Sequence, residues 1–199
     1  QFQRLTAVLV IPMGIGIYLY RDLVTQILLG SQWGEASGFI GLWGLTSAFT
    51  IVFSHFSSEV YRSKGNPKVS LILQVVHIVF LATTLILSVS HGFEVLYVAR
   101  SLVRIQIIVC ALMIMHIMYG FKVQHILRNV LPMITSALIM GAAGYLMQQA
   151  SSSMIWQFVS VFFCIIIYFA VLLGMFPSVR HEVFDSAVGK KIVQKIMRT

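Results

Sequence analysis

Two arginines four residues apart, Arg100 and Arg104, stand inside a run of Val, Leu and Ile that carries no acidic residue after Glu94. Residues four apart share one face of a helix, and Tyr97 and Ser101 fall beside them. An arginine at the centre of a membrane helix costs roughly 2.5–3.5 kcal/mol on insertion scales. Two in one helix imply either a wet cavity and an anionic partner, or bonds to backbone carbonyls and to acidic residues elsewhere. Both readings are open at this point. The apolar run before them answers with Ser70, Gln74, His77, Thr84 and Ser88, again at helical spacing. Counted from the tight turn between the two runs, His77 falls at about the depth of Arg104. A continuous polar seam is therefore expected through this hairpin. The candidate residues for holding an anionic group are Arg100, Arg104, His77, Gln74 and Tyr97.

Little else in the chain points to chemistry. Cys110 and Cys164 both lie deep inside apolar runs, without CxxC or other metal spacing, and read as inert buried thiols. His77 is expected near mid-membrane and His116 near a helix end, so the two are too far apart in depth to share one haem. No nucleophile–base constellation and no phosphate-cradling loop is present. Neither catalysis nor a cofactor is expected.

The elements that must position these residues follow from composition. The chain has 199 residues, 58% of them apolar and only 10% charged, with a mean hydropathy of +0.90. A soluble domain carries about a quarter charged residues, so this chain needs a lipid surround. Its apolar runs are long and do not alternate, which favours helices over a membrane barrel. Six spans are expected at 5–20, 36–54, 69–89, 93–118, 130–147 and 154–176, giving an all-α polytopic membrane helix bundle. The first span carries Pro12, Gly14 and Gly16 and is expected to kink or tilt. Residues 22–29 read as interfacial, and Trp33 suits the aromatic belt. The chain opens on Gln1 with neither a start methionine nor a cleavable signal, and reads as the C-terminal piece of a longer membrane protein.

The net charge of +8 is spread over short stretches between apolar runs, so it speaks for topology and against nucleic acid as a partner. Eleven of the fourteen basic residues fall on one set of turns and termini, while only Arg21 falls on the other. By the positive-inside rule both ends are expected in the cytoplasm. The tail 183–197 interleaves apolar residues with Lys190, Lys191 and Lys195. It reads either as an amphipathic helix on anionic membrane lipids or as a frayed basic terminus. Gly34, Ser37, Gly41, Gly44 and Ala48 place small residues along one side of the second span, with Ala137, Gly141 and Gly144 in the same style on the fifth. Such stripes let two backbones approach closely.

Several local patterns then carry a likeness. Pro12 in the first span is followed by Leu28, Leu29, Gly30, Trp33 and Ala36, then by the basic turn Arg62-Ser63-Lys64-Gly65-Asn66-Pro67-Lys68, and later by Gly92 before Val98 and Ala99. In pattern and spacing, over nearly the whole chain, this resembles the polysaccharide and O-antigen (Wzx-type) flippases of the multidrug/oligosaccharidyl-lipid/polysaccharide exporter superfamily. The resemblance implies a helix bundle from the C-terminal part of a two-lobed transporter. On it, residues 1–118 are four helices of the C-terminal lobe, 119–176 an appended transmembrane hairpin, and 177–199 a basic cytoplasmic tail. It further implies translocation of an undecaprenyl-pyrophosphate-linked oligosaccharide across the bacterial inner membrane by alternating access, with cationic residues meeting the pyrophosphate. A polysaccharide polymerase is an implied partner. The alternatives are a multidrug or cation antiporter of the same superfamily, a membrane-embedded polymerase or ligase, and a non-transport subunit of polysaccharide assembly. An antiporter favours carboxylates within spans, and a polymerase or ligase favours a large outer loop. Neither feature is evident here.

Overall fold

In the computed structural model, which describes residues 2–151, 153–177 and 179, each of the six apolar runs becomes a helix. The elements in order are α1 (Phe2–Leu19), α2 (Arg21–Leu29), α3 (Ser37–Thr50), α4 (Phe56–Ser63), α5 (Pro67–Ser88), α6 (Phe93–Tyr119), α7 (Val123–Ala150) and α8 (Met154–Met175). Short 3-10 stretches at Ser31–Ala36 and Val89–His91 lead into α3 and out of α5, and a π-helical stretch, Ile51–His55, joins α3 to α4. There is no strand among the described residues. Among the described residues, six helical segments are long and apolar enough to cross a membrane: Phe2–Leu19, Ser31–Ser63, Pro67–His91, Phe93–Tyr119, Val123–Ala150 and Met154–Met175. The protein is thus an all-α, multi-pass membrane bundle. The tail read from the sequence as 183–197 lies outside the described residues.

The second span runs longer than expected. The polar-looking stretch after position 54 stays helical to Ser63, and only Lys64–Asn66 turn the chain. The reason is amphipathic: Val52, Phe53, Ser57 and Tyr61 are all buried. The Ser57 hydroxyl donates to the Phe53 carbonyl, and the Tyr61 hydroxyl donates to the Ala111 carbonyl of α6 at 2.6 Å. Pro67 then opens α5, where a missing N–H costs nothing. At the far end of α6, Gly120 takes the left-handed conformation (φ 67°) and closes the helix with a bond to the His116 carbonyl.

The chain forms two compact units, Gln1–Pro12 with Arg128–Thr199, and Met13–Leu127. Their limits fall within α1 and α7.

In the first unit, α7 buries Val130, Met133, Ala137, Met140 and Gly144 along one side, while Gly141 is half-buried. Helix α8 buries Ser160, Cys164, Tyr168 and Leu172 at intervals of four. The Trp156 indole N–H donates to the Met147 carbonyl at 2.7 Å and ties the two helices across their turn. Pro12 has no N–H to offer the carbonyl of Val8, one turn back. The buried Tyr168 hydroxyl supplies the missing donor, bonding Val8 O at 2.8 Å. Helix α1 therefore runs through its proline as one helix.

In the second unit, α3 buries Gly41, Gly44 and Ala48 against the Met13–Arg21 stretch. A Cβ on Gly44 would lie 2.6 Å from Ile17 Cγ2, and one on Gly41 would lie 3.0 Å from the Arg21 side chain. The expected stripe is thus a packing face over these three residues, whereas Gly34 is exposed. Helix α6 packs on both α3 and α5.

Candidate functional site

The arginine pair of α6 faces α3. Arg104 sits with its guanidinium carbon 5.0 Å from the centroid of the Trp43 ring, and Arg100 with its own 5.8 Å from that of Phe39. Phe39 and Trp43 are four residues apart, as are Arg100 and Arg104, and they pair in the same order. Parallel helices do this, because four residues climb about 6 Å on each. One turn before Arg100, Tyr97 closes the row, its hydroxyl lying against the bare Cα of Gly38.

Arg104 is half-buried and donates from Nη1 to the Ser47 hydroxyl and, at 3.4 Å, to the Trp43 carbonyl. Arg100 is exposed beside it. Neither has a carboxylate within ion-pair distance among the described residues, where the one pair, Arg62 with Glu59, stands at the end of α4. Ser101, between the two arginines, is fully buried and its hydroxyl has no hydrogen-bond partner. The result is a cationic row backed by aromatic faces. Guanidinium over an aromatic ring is attracted to the ring quadrupole and keeps the edge of its fork for another acceptor. A planar fork of N–H donors suits the oxygens of a phosphate group.

The expected seam does not run as one. His77 meets α6 on a different face, with Nδ1 3.1 Å from the Gln106 Oε1. Gln106 lies two residues beyond Arg104, roughly 200° around the helix. The structure thus brings Arg100, Arg104 and Tyr97 together against α3 and leaves His77 apart from them, against Gln106. Gln74 is exposed, away from the inward line of α5, which Ser70, Leu73, His77, Leu81, Thr84 and Ser88 form. Phe39, Trp43, Ser47 and Gln106 were not singled out from the sequence. The matching four-residue spacings of Phe39/Trp43 and Arg100/Arg104 were the available signal, but nothing local says that the second and fourth spans are neighbours. No group of three or more metal-ligating side chains occurs among the described residues.

Residues 1–38, which cover α1, α2 and the start of α3, match a family model described as polysaccharide biosynthesis protein. That likeness and the six apolar helices support a membrane protein of polysaccharide biosynthesis. No curated protein and no solved structure matches the chain.

Proposed function

We propose that this protein moves an undecaprenyl-pyrophosphate-linked oligosaccharide across the bacterial inner membrane by alternating access, breaking no bond in its cargo. The observation that carries the reading is the arginine pair: two guanidinium groups within a membrane span, stacked on Phe39 and Trp43, without a carboxylate partner among the described residues. A charge at that depth demands an anion or water. In a chain with a polysaccharide-biosynthesis likeness, the diphosphate of a lipid carrier supplies the anion. Arg100 and Arg104 take the pyrophosphate, and Tyr97 lies at the end of their row. The even number of candidate spans among the described residues supports a topology with both ends of this segment on one side, and the distribution of lysine and arginine supports the cytoplasm as that side. Membrane lipids surround the bundle, and a polysaccharide polymerase is the natural recipient of the cargo. The runner-up, a cation antiporter, is less well supported, since Glu35, Glu59 and Glu94 all stand within about a turn of a span's end.

The test is complementation of a strain lacking its lipid-linked oligosaccharide flippase, with surface polysaccharide read beside membrane protein level. The Arg100→Ala, Arg104→Ala double variant is expected to accumulate and fail to restore polysaccharide. A well-expressed double variant that restores it removes the pyrophosphate role from this pair.

A further inference from the structure

The mechanism above uses one face of α6 and leaves a second polar group in the membrane unexplained. His77 lies midway along α5, on its inward line, and is half-buried. Its partner Gln106 has a defined orientation: Nε2 donates to the Cys110 sulfur at 3.3 Å, which leaves Oε1 to face the imidazole. With the amide in that orientation Oε1 accepts and His77 Nδ1 is the donor. In the neutral ring Nε2 then holds the lone pair, and no bond to that nitrogen is found among the described residues. Adding a proton at Nε2 therefore breaks nothing: the Nδ1–H···Oε1 bond remains in both charge states and holds the ring in place.

The surroundings contain little that would fix one charge state. From α6 the titratable group on this side is Cys110, bonded to the same amide, while Arg104 stands on the other face. From α4 come Glu59 and Arg62, paired with each other, and Tyr61, bonded to Ala111. From the Val89–His91 stretch comes His91, whose Nδ1 is 3.1 Å from the Leu87 carbonyl, about four turns from His77. An ionisable side chain kept in the middle of a span without an opposing charge marks an ion pathway more often than a packing element.

We propose that His77 is an intramembrane proton-binding site, with Nε2 as the atom that takes up and releases the proton and Gln106 as the residue that positions the ring. The proton passes from water to the Nε2 lone pair and back, and no other bond forms or breaks. Resting on the transport reading, this makes the proton the coupling ion.

Two measurements on the purified full chain test it. Nitrogen-15 NMR of histidine-labelled protein in nanodiscs, with His77→Gln to assign the signal, reads the tautomer and the charge directly. The expected result is a ring with hydrogen on Nδ1 that gains a second proton at Nε2 over an acid titration. A ring that stays neutral across it, or that carries hydrogen on Nε2, overturns the proposal. In proteoliposomes loaded with a pH-sensitive dye, an added undecaprenyl pyrophosphate probe is expected to drive proton movement in wild type. That movement is lost in His77→Gln, whose amide keeps a donor toward Gln106, and wild-type proton movement in this variant also overturns the proposal. Failure of the transport reading looks different: wild type then moves neither probe nor protons while the His77 titration persists.

Discussion

The Arg104 guanidinium lies over the Trp43 indole, 5.0 Å from ring centroid to guanidinium carbon, while its Nη1 reaches the hydroxyl of Ser47 one turn further along α3. A single aromatic helix face thus both neutralises part of the cost of the charge and sets the direction of its fork. Cation–π contact contributes about 0.5–2 kcal/mol depending on how far the pair is removed from water. The unused edge of the guanidinium is what an anionic group would meet.

This geometry separates charge from shape. Arg104→Lys keeps the cation but has neither a planar fork nor a flat face to lay on Trp43, so partial export activity is expected. Arg104→Ala should retain very little, and Trp43→Leu should fall between the two, while Trp43→Phe stays close to wild type. Protein levels should be near normal throughout, because a half-exposed arginine holds little of the packing. Surface polysaccharide in a complemented flippase-null strain, normalised to membrane protein, measures the order. Loss of the protein itself in Arg104→Ala would mean that the arginine is a structural tie.

The close approach of α3 to Met13–Arg21 gives a packing prediction. Gly44→Leu drives a side chain into Ile17, whose Cγ2 would already lie 2.6 Å from a Cβ. Overpacking of this kind costs roughly 1–3 kcal/mol or more. The expected outcome is less folded protein and a lower melting temperature in detergent, with Gly41→Leu affected in the same direction. Gly34→Leu, at an exposed position, is the control and should accumulate like wild type.

Tyr168 and Pro12 form a compensated defect. Tyr168→Phe removes the donor to the Val8 carbonyl and leaves a buried acceptor unsatisfied, at a cost of about 1–3 kcal/mol. Pro12→Ala restores a backbone N–H for the same carbonyl. The double variant should therefore recover much of what Tyr168→Phe loses, measured by thermal unfolding in one detergent. Equal, additive losses would show that the hydroxyl serves another purpose.

Orientation can be read by labelling in intact cells, with Cys110 and Cys164 first replaced by serine. A cysteine at Ser63, at the end of α4, should be shielded from an impermeant thiol reagent. One at Ser90, in the stretch between α5 and α6, should react. Reaction at Ser63 without permeabilisation reverses the topology.

The sequence by itself determined the membrane class and the spans, because hydrocarbon is a one-dimensional constraint: about 20 apolar residues in a row must cross, and each turn between them is marked by its polar residues. Ser90 to Gly92, between Val89 and Phe93, needed no knowledge of neighbours to read as a tight turn. Arg100 and Arg104 were legible for the same reason, as residues too costly to stand there unnoticed. What the sequence left open was which helix each of them faces. Spacing places Arg104 and Gln106 in one span, but it does not say that α3 lies on one side of α6 and α5 on the other. Only that packing assigns Trp43 and Ser47 to Arg104 and Gln106 to His77, and so parts the expected seam into two sites. The helical extension to Ser63 was hidden for a related reason. Ser57 and Tyr61 look like turn residues until the Phe53 and Ala111 carbonyls are there to receive their hydroxyls. Hydropathy records what a residue costs in lipid, and tertiary contact decides what offsets that cost.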